Sequence, residues 1–260
     1  MKVYVCPSSA VGVGRQQVLA SYLINDTVLI DAGCAGFGLS LAQQQRIRHV
    51  FLSHSHLDHV ASLPMLIEHV AHAPDPEASL TVYASRETLE CLKRHVFNDA
   101  IWPDFVRLSE DPGSSLFGKL VLRELLAEMP VQAAGLRVTP VPVCHTVPTF
   151  AYVVEEPGTA IGIISDTAPT ERVWELLNST GHLKAVFLEA SFPDRLGKLA
   201  QTSHHLTPSL FFQERAKLRS DARVFVIHMK AAFAAETWAE LKSQRPEACK
   251  PAKLDYEYRF

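Results

Sequence analysis

The segment Ser53-His54-Ser55-His56-Leu57-Asp58-His59 packs three imidazoles and one carboxylate into six consecutive positions, 54 to 59. It directly follows His49-Val50-Phe51-Leu52, a short apolar run of the kind that forms a buried strand. On a loop leaving a strand, His54 and His56 stand one residue apart and project to the same side, while Asp58 and His59 fall beyond the next bend. Two pairs of ligands therefore face two different points. Imidazole with a single carboxylate suits zinc, iron or manganese, whereas calcium and magnesium prefer all-oxygen shells. A terminal tag or a surface cluster of histidines would have neither the internal Asp nor the strand in front. The pattern outlines a two-metal hydrolytic centre.

With 260 residues, 47% of them hydrophobic, the chain can fill one substantial core. A formal net charge of -3 exerts no global pull toward nucleic acid or an anionic membrane, so an anionic substrate must be attracted locally. The five cysteines, Cys6, Cys34, Cys91, Cys144 and Cys249, are scattered and form no Cys-x-x-Cys pair. Neither a disulfide framework nor a cysteine zinc site is indicated, and a reducing cytoplasm fits. The opening Met-Lys-Val-Tyr-Val-Cys-Pro lacks the apolar core of a secretory signal, and no stretch approaches the roughly 18 apolar residues of a membrane span. The expectation is a soluble, cytoplasmic, unprocessed protein.

Val3 to Val5, Val18 to Leu23 and Val28 to Ile30 are strand-like runs interrupted by Pro7, Gly12, Gly14 and the Asn25-Asp26 turn pair, and they predict an antiparallel meander. Helical spacing is expected over Leu39 to Arg46, Leu63 to His72, Arg86 to Val96, Glu171 to Asn178 and Pro208 to Leu218. Further strands are expected at Leu80 to Tyr83, Leu120 to Leu126, Leu136 to Val143, Phe150 to Val154, Ala160 to Ile164, Ala185 to Leu188 and Arg223 to Ile227. Two β-rich halves with helices predict an α/β fold of two sheets packed face to face.

Three more residues follow apolar strands as the histidine loop does: His145, Asp166 and His228. One histidine after a strand is ordinarily a core or surface residue; the combination points elsewhere. His54, His56 and His145 would complete one three-nitrogen site, Asp58, His59 and His228 the other, and Asp166 could give an oxygen to each metal. That arrangement leaves room for a shared water, as a catalytic metal site requires.

This set resembles the metallo-β-lactamase superfamily, whose His-x-His-x-Asp-His loop, later His, bridging Asp and last His occur in the same order, and the resemblance spans nearly the whole chain. It implies a single domain over 1–260 with an αββα four-layer sandwich, two mixed sheets inside and helices outside. It also implies metals at one edge, with Asp31 behind the histidine loop to orient it. A finer resemblance is to the class II cyclic-nucleotide phosphodiesterases. It rests on His-Ser-His-Leu-Asp-His, Ser165-Asp166-Thr167, Leu188-Glu189-Ala190-Ser191-Phe192-Pro193, His205-Leu206-Thr207-Pro208 and Ile227-His228-Met229-Lys230. His95-Val96-Phe97-Asn98 with Ile101-Trp102-Pro103 adds a further block. The chain departs from that family's usual pattern at Pro64, at Ala168 and His204, where glycine is usual, and at Ala231, where proline is usual. These departures bear on pocket details and the preferred nucleotide.

The resemblance implies hydrolysis of 3′,5′-cyclic AMP, with cyclic GMP as a second candidate, to the 5′-monophosphate. Two divalent cations roughly 3.5–4 Å apart would activate a bridging water, with zinc the default and iron or manganese fitting the same ligands. Asp58 belongs to the catalytic set as well as the ligands, and His205 is the candidate proton donor, with His204 as its rival. Glu189 is the candidate orienter of that histidine. Asn98, Trp102, Thr207 and Lys230 are candidate substrate contacts; an aromatic at 102 is otherwise a core residue and a lysine at 230 a solvated strand end. The expected partner is a small cyclic nucleotide, with no nucleic acid and no membrane, and a homodimer is implied. The competing readings are a transfer-RNA 3′-end endonuclease-like enzyme, a non-catalytic nucleotide-binding protein and a redox di-iron protein. The last usually replaces a loop histidine with a carboxylate, and no such replacement occurs at His54, His56 or His59.

Overall fold

The computed structural model describes residues 1–8, 17–245 and 247–260. The first half supplies β1 (Lys2–Val5), β2 (Tyr22–Ile24), β3 (Val28–Ile30), β4 (His49–Phe51), β5 (Leu80–Ala84) and β6 (Leu120–Glu124). The second supplies β7 (Val131–Ala133), β8 (Leu136–Val143), β9 (Thr149–Glu156), β10 (Thr159–Ile164), β11 (Leu183–Glu189), β12 (Arg223–Ile227) and β13 (Lys250–Pro251), and the last strand, β14 (Tyr256–Arg259), returns to β1. The result is two seven-stranded sheets, ordered β14-β1-β2-β3-β4-β5-β6 and β13-β12-β11-β10-β9-β8-β7. In the first, β14, β1, β2 and β3 form an antiparallel meander, and β3 to β6 then run parallel. Asn25 and Asp26 turn the chain between β2 and β3 at φ 46° and 64°, a left-handed conformation that these residue types tolerate.

Side chains along the inner strands alternate between two cores. Tyr22, Ile24, Ile30 and Phe51 meet Tyr152, Val154, Ile163, Phe187 and Phe225 between the sheets. Leu23, Leu29 and Val50 face the opposite way, toward helices. Strands buried on both faces read as continuous apolar runs, which is why periodicity alone could not orient them. The helices are α1 (Ala35–Gly38), α2 (Leu41–Gln44), α3 (Leu57–Val60), α4 (Leu63–Ala71), α5 (Arg86–His95), α6 (Phe105–Glu110), α7 (Arg172–Ser179), α8 (Gly197–Ser203), α9 (Pro208–Arg215) and α10 (Ala234–Gln244). Apolar residues of α1, α4, α5 and α6 cover the outer face of the first sheet, and those of α7, α9 and α10 cover the second. The layers run α/β/β/α.

Two expected elements are corrected. The strand over Val18 to Leu23 is confined to Tyr22–Ile24, because the residues before it turn their backbone groups to other loops: Ala20 donates to the Asp58 carbonyl (2.8 Å) and accepts from Gly33 (2.9 Å). The helix expected over Leu39 to Arg46 is confined to α2, Leu41–Gln44, because Leu39 and Ser40 are extended and Ser40 starts the helix with a capping box to Gln43; α1 lies before the expected span. Gly12 and Gly14 lie outside the described residues. Among the described residues no helix is long and apolar enough to cross a membrane.

Candidate metal centre

Strand β4 delivers the histidine loop to the seam between the sheets. Leu52 donates its N–H to the Tyr83 carbonyl (2.9 Å), Tyr152 Oη donates to the Leu52 carbonyl (2.6 Å), and Phe150 donates its N–H to the Ser53 carbonyl (3.0 Å). Both sheets thus grip the residues just before His54. The loop then winds into α3 with His56 as its extended N-cap. Behind it, Gly33 passes so close that a Cβ there would sit 2.0 Å from the Asp58 carbonyl oxygen, so this position admits only glycine.

The second sheet supplies the rest. Strands β10, β11 and β12 are parallel, and β8, two antiparallel steps from β10, points the same way. Their C-terminal ends share one edge, where His145 and Asp166 lie two residues past β8 and β10, and His228 directly follows β12. One ligand-type atom from each of His54, His56, His145 and Asp166 falls within 4.8 Å of the others, and the same holds for Asp58, His59, Asp166 and His228. Asp166 belongs to both groups. Its Oδ2 is 3.8 Å from His54 Nε2 and 3.7 Å from His145 Nε2, and its Oδ1 is 3.4 Å from His59 Nε2 and His228 Nε2.

Hydrogen bonds on the far ring nitrogens fix the tautomers. Ser53 Oγ donates to Asp31 Oδ2 (2.9 Å), so it accepts from His54 Nδ1 (2.9 Å); His59 Nδ1 donates to Asp31 Oδ2 (2.8 Å). His145 Nδ1 donates to the His204 carbonyl (3.1 Å). Ser191 Oγ donates to Glu189 Oε2 (2.6 Å) and so accepts from His228 Nδ1 (3.2 Å). In all four, Nδ1 is engaged away from the cluster and Nε2 is the nitrogen turned toward it, which is the orientation metal-ligating histidines require. Asp31, fully buried and at φ 56°, also accepts from the Ser53 N–H (2.7 Å).

The polar atoms at the centre fit cations better than they fit one another. His54 Nε2 and Asp166 Oδ1 are buried without a hydrogen-bond partner; the 3.4 Å contacts of Oδ1 with two imidazoles are not aligned as hydrogen bonds. Such orphans are costly unless another group completes them. Burial drives His54 well below the ordinary imidazole range and pushes His145 down to about 4, so both are neutral donors at pH 7. Burial opposes ionisation of Asp166, yet His228 and His59 hold it well below the usual carboxylate range. Asp58 is likewise low against its burial, through His228, His59 and Lys230. His59 is lifted well above 6.5 despite burial, because Asp166 and Asp31 demand positive charge beside them. Neutral imidazoles at His54 and His145 beside the ionised carboxylates of Asp58 and Asp166 are a cation's donor set.

A second constellation adjoins it. Glu189, fully buried at the end of β11, accepts from the Thr167, Ser191 and Leu206 N–H groups, from Ser191 Oγ, and from His205 Nδ1 at 2.8 Å. Burial alone would lower the His205 pKa, but the Glu189 carboxylate raises it above the ordinary value. The His205 ring lies 5.0 Å from that of His145 and 5.6 Å from that of His228. His204, its rival in sequence, instead adopts φ 54° at the C-cap of α8, and its ring meets Cys144 Sγ at 3.7 Å.

The four candidate substrate residues have varied surroundings. Lys230 Nζ is 3.2 Å from Asp58 Oδ2, at the rim of the cluster. Thr207 is buried at the N-cap of α9. Asn98 caps its own loop, accepting from Ala100 and Ile101 N–H groups, and Trp102 packs edge-on against Phe105 in the outer helix layer. Sequence reasoning gave no role to Ser53 and Ser191, the hydroxyls that fix His54 and His228. Their signal was adjacency: one precedes the first histidine, the other stands two residues after Glu189.

Fold and site together define a metallo-β-lactamase-type sandwich with a His/Asp cluster at one edge. Residues 26–229 match the β-lactamase superfamily domain, and the chain belongs to that family. It is similar to a probable 3′,5′-cyclic-nucleotide phosphodiesterase of Yersinia pestis, 27% identical over 192 residues covering 67% of this chain and 52% of that one. It is also similar to a 3′,5′-cyclic-nucleotide phosphodiesterase of Aliivibrio fischeri, 24% identical over 247 residues covering 78% and 72%. The chain thus spans about half the length of the Yersinia protein. Among solved structures, unliganded yeast PDE1 shares the fold at TM-score 0.73 and 17% identity over 98% and 97% of the two chains. So does human tRNase Z, short form, at 0.70 and 17% over 100% and 99%.

Proposed function

We propose that this protein is a metal-dependent phosphodiesterase that hydrolyses 3′,5′-cyclic AMP, and cyclic GMP as a second substrate, to the 5′-monophosphate. The observation that carries the reading is the convergence of two His/Asp groups on Asp166 beside a separate, hydrogen-bonded Glu189–His205 pair. The two relatives named as cyclic-nucleotide phosphodiesterases support the substrate class. His54, His56, His145 and Asp166 would hold one divalent cation, and Asp58, His59, Asp166 and His228 the other. Zinc is the default for such ligands, with iron and manganese fitting equally in kind. Bound there, the cations would supply a water activated near pH 7 and neutralise charge on the phosphoryl group.

The chain's own residues divide the remaining work. Ser53, Asp31, Ser191 and the His204 carbonyl keep the four imidazoles in the donor tautomer. Asp58, kept ionised by its neighbours, is a ligand and a proton acceptor for the attacking water. Lys230 adds positive charge at the rim, where a phosphate oxygen must arrive. Cleavage of the 3′ bond leaves an alkoxide that needs a proton, and His205 holds one on a nitrogen whose ring is anchored by Glu189. Incubating the purified, metal-loaded chain with cyclic AMP, cyclic GMP and a precursor tRNA tests the reading. Conversion of a cyclic nucleotide to its 5′-monophosphate is expected. Both nucleotides left intact across zinc, iron and manganese would overturn it, and tRNA cleavage alone would favour the endonuclease.

A further inference from the structure

A cavity of about 450 Å³ opens beside the proposed proton donor, and His205 is part of its wall. Cys144 from the end of β8, Ala168 and Pro169 from the loop after β10, Gln201 and His204 around the end of α8, and Leu210 on α9 form most of the remainder. The cavity is joined to the metal groups through two of these residues. Cys144 precedes His145, and the His204 carbonyl receives the His145 Nδ1–H. Its volume falls within the roughly 300–1,000 Å³ of small-molecule sites. A nucleoside fits such a space, whereas a helical RNA stem does not.

The chemistry fixes which part of a substrate would lie here. A proton donor must reach the leaving oxygen, and in a 3′,5′-cyclic nucleotide that oxygen is carried by the ribose. The sugar, and the base it bears, therefore lie on the His205 side of the phosphorus. The walls on that side are apolar at Ala168, Pro169 and Leu210, as the faces of a planar base require. Gln201 and His204 are the polar exceptions. A primary amide offers a donor and an acceptor side by side, the pairing that glutamine makes with adenine in bidentate fashion. Ala168 and His204 are also two of the positions at which the chain departs from the class II phosphodiesterase pattern.

Resting on the phosphodiesterase reading above, we propose that this cavity is the nucleobase pocket and that Gln201, aided by the His204 ring, selects adenine there. Two variants test it in the zinc-loaded full chain, Gln201→Leu and His204→Gly. Glycine suits the left-handed backbone at 204 (φ 54°) and keeps the carbonyl that holds His145, so only the imidazole is removed. The readout is the ratio of kcat/KM for cyclic AMP to that for methyl 4-nitrophenyl phosphate, a phosphodiester with no base. The expected result is a fall in this ratio of about tenfold or more in Gln201→Leu, as loss of a bidentate base contact implies, with a smaller fall in His204→Gly. The preference for cyclic AMP over cyclic GMP should shrink in parallel. A ratio unmoved in both variants overturns the pocket. If the native chain cleaves the baseless ester but no cyclic nucleotide, the cyclic-nucleotide reading fails separately, and calorimetric titration with 5′-AMP decides the pocket. Binding weakened about tenfold in Gln201→Leu sustains it; binding absent from the native chain, or equal in both, removes it.

Discussion

Glu189 Oε1 stands 2.8 Å from His205 Nδ1, and the same carboxylate is fixed by the N–H groups of Thr167, Ser191 and Leu206. A carboxylate held by that many donors cannot swing away. It imposes both the orientation of the imidazole and its raised pKa.

The proton-donating form of His205 is the form present below its pKa, so activity through it is lost as pH rises through that raised value. Glu189→Gln removes the charge that raises it. The alkaline limb of the kcat profile for cyclic AMP is predicted to move to lower pH in this variant, with kcat near pH 8 down about tenfold or more. His205→Ala should lower kcat by about 10²- to 10⁴-fold, and by much less with a 4-nitrophenyl ester, whose leaving group needs no proton. An alkaline limb that stays in place in Glu189→Gln would falsify the assignment.

The convergence of the candidate ligands was legible in the sequence because His54, His145, Asp166 and His228 follow short apolar strands, and a strand's C-terminal end has one address on a parallel sheet. The fold class followed from the same strands, since runs such as Val186-Phe187-Leu188 alternate between two cores. What stayed hidden depends on tertiary contact. The residues before Tyr22 look like strand but turn their N–H and C=O groups to Asp58 and Gly33. Ser40 starts α2 two residues later than periodicity suggests, through a capping box with Gln43. Trp102, aromatic and near a family-like block, packs against Phe105, and nothing in its own sequence separates core from substrate contact. The cavity wall at Gln201 and His204 brings α8 against loops more than 30 residues away in sequence, beyond any local signal.

Asp31 accepts three hydrogen bonds, from the Ser53 N–H, from Ser53 Oγ and from His59 Nδ1. Asp31→Asn replaces one accepting oxygen with a donor and removes the charge facing His59. Zinc affinity, measured by competition with a chromophoric chelator, is predicted to weaken about 10- to 100-fold. Unchanged affinity would show that Asp31 acts on folding alone.

Gly33 offers a steric test of the same loop. An alanine Cβ would meet the Asp58 carbonyl oxygen at 2.0 Å and the Ala20 backbone at 2.8 Å, and no flexible side chain can yield. Gly33→Ala is expected to cost about 1–3 kcal/mol through overpacking and to lower Tm by several degrees. Metal stoichiometry should fall as well, because Asp58 moves with its backbone. A variant with native Tm and full metal content would show that the loop shifts freely.

Removing the cations should destabilise the fold rather than merely silence it. Among the buried carboxylates and imidazoles of the two groups, His54 Nε2 and Asp166 Oδ1 have no hydrogen-bond partner. A ligand present at about 1,000 times its Kd stabilises the native state by about 4 kcal/mol. Dialysis against a strong chelator is predicted to lower Tm by several degrees and to abolish turnover, both restored by two zinc ions per chain. Without metal, the His59 imidazole keeps its second proton to higher pH than an ordinary imidazole, since Asp166 and Asp31 draw positive charge to that position. Zinc must displace this proton, so uptake at pH 7 should release acid into a weakly buffered solution, and apparent affinity should fall as pH drops. A single zinc restoring full activity, or uptake without proton release, would contradict the shared-Asp166 arrangement on which the proposed chemistry depends.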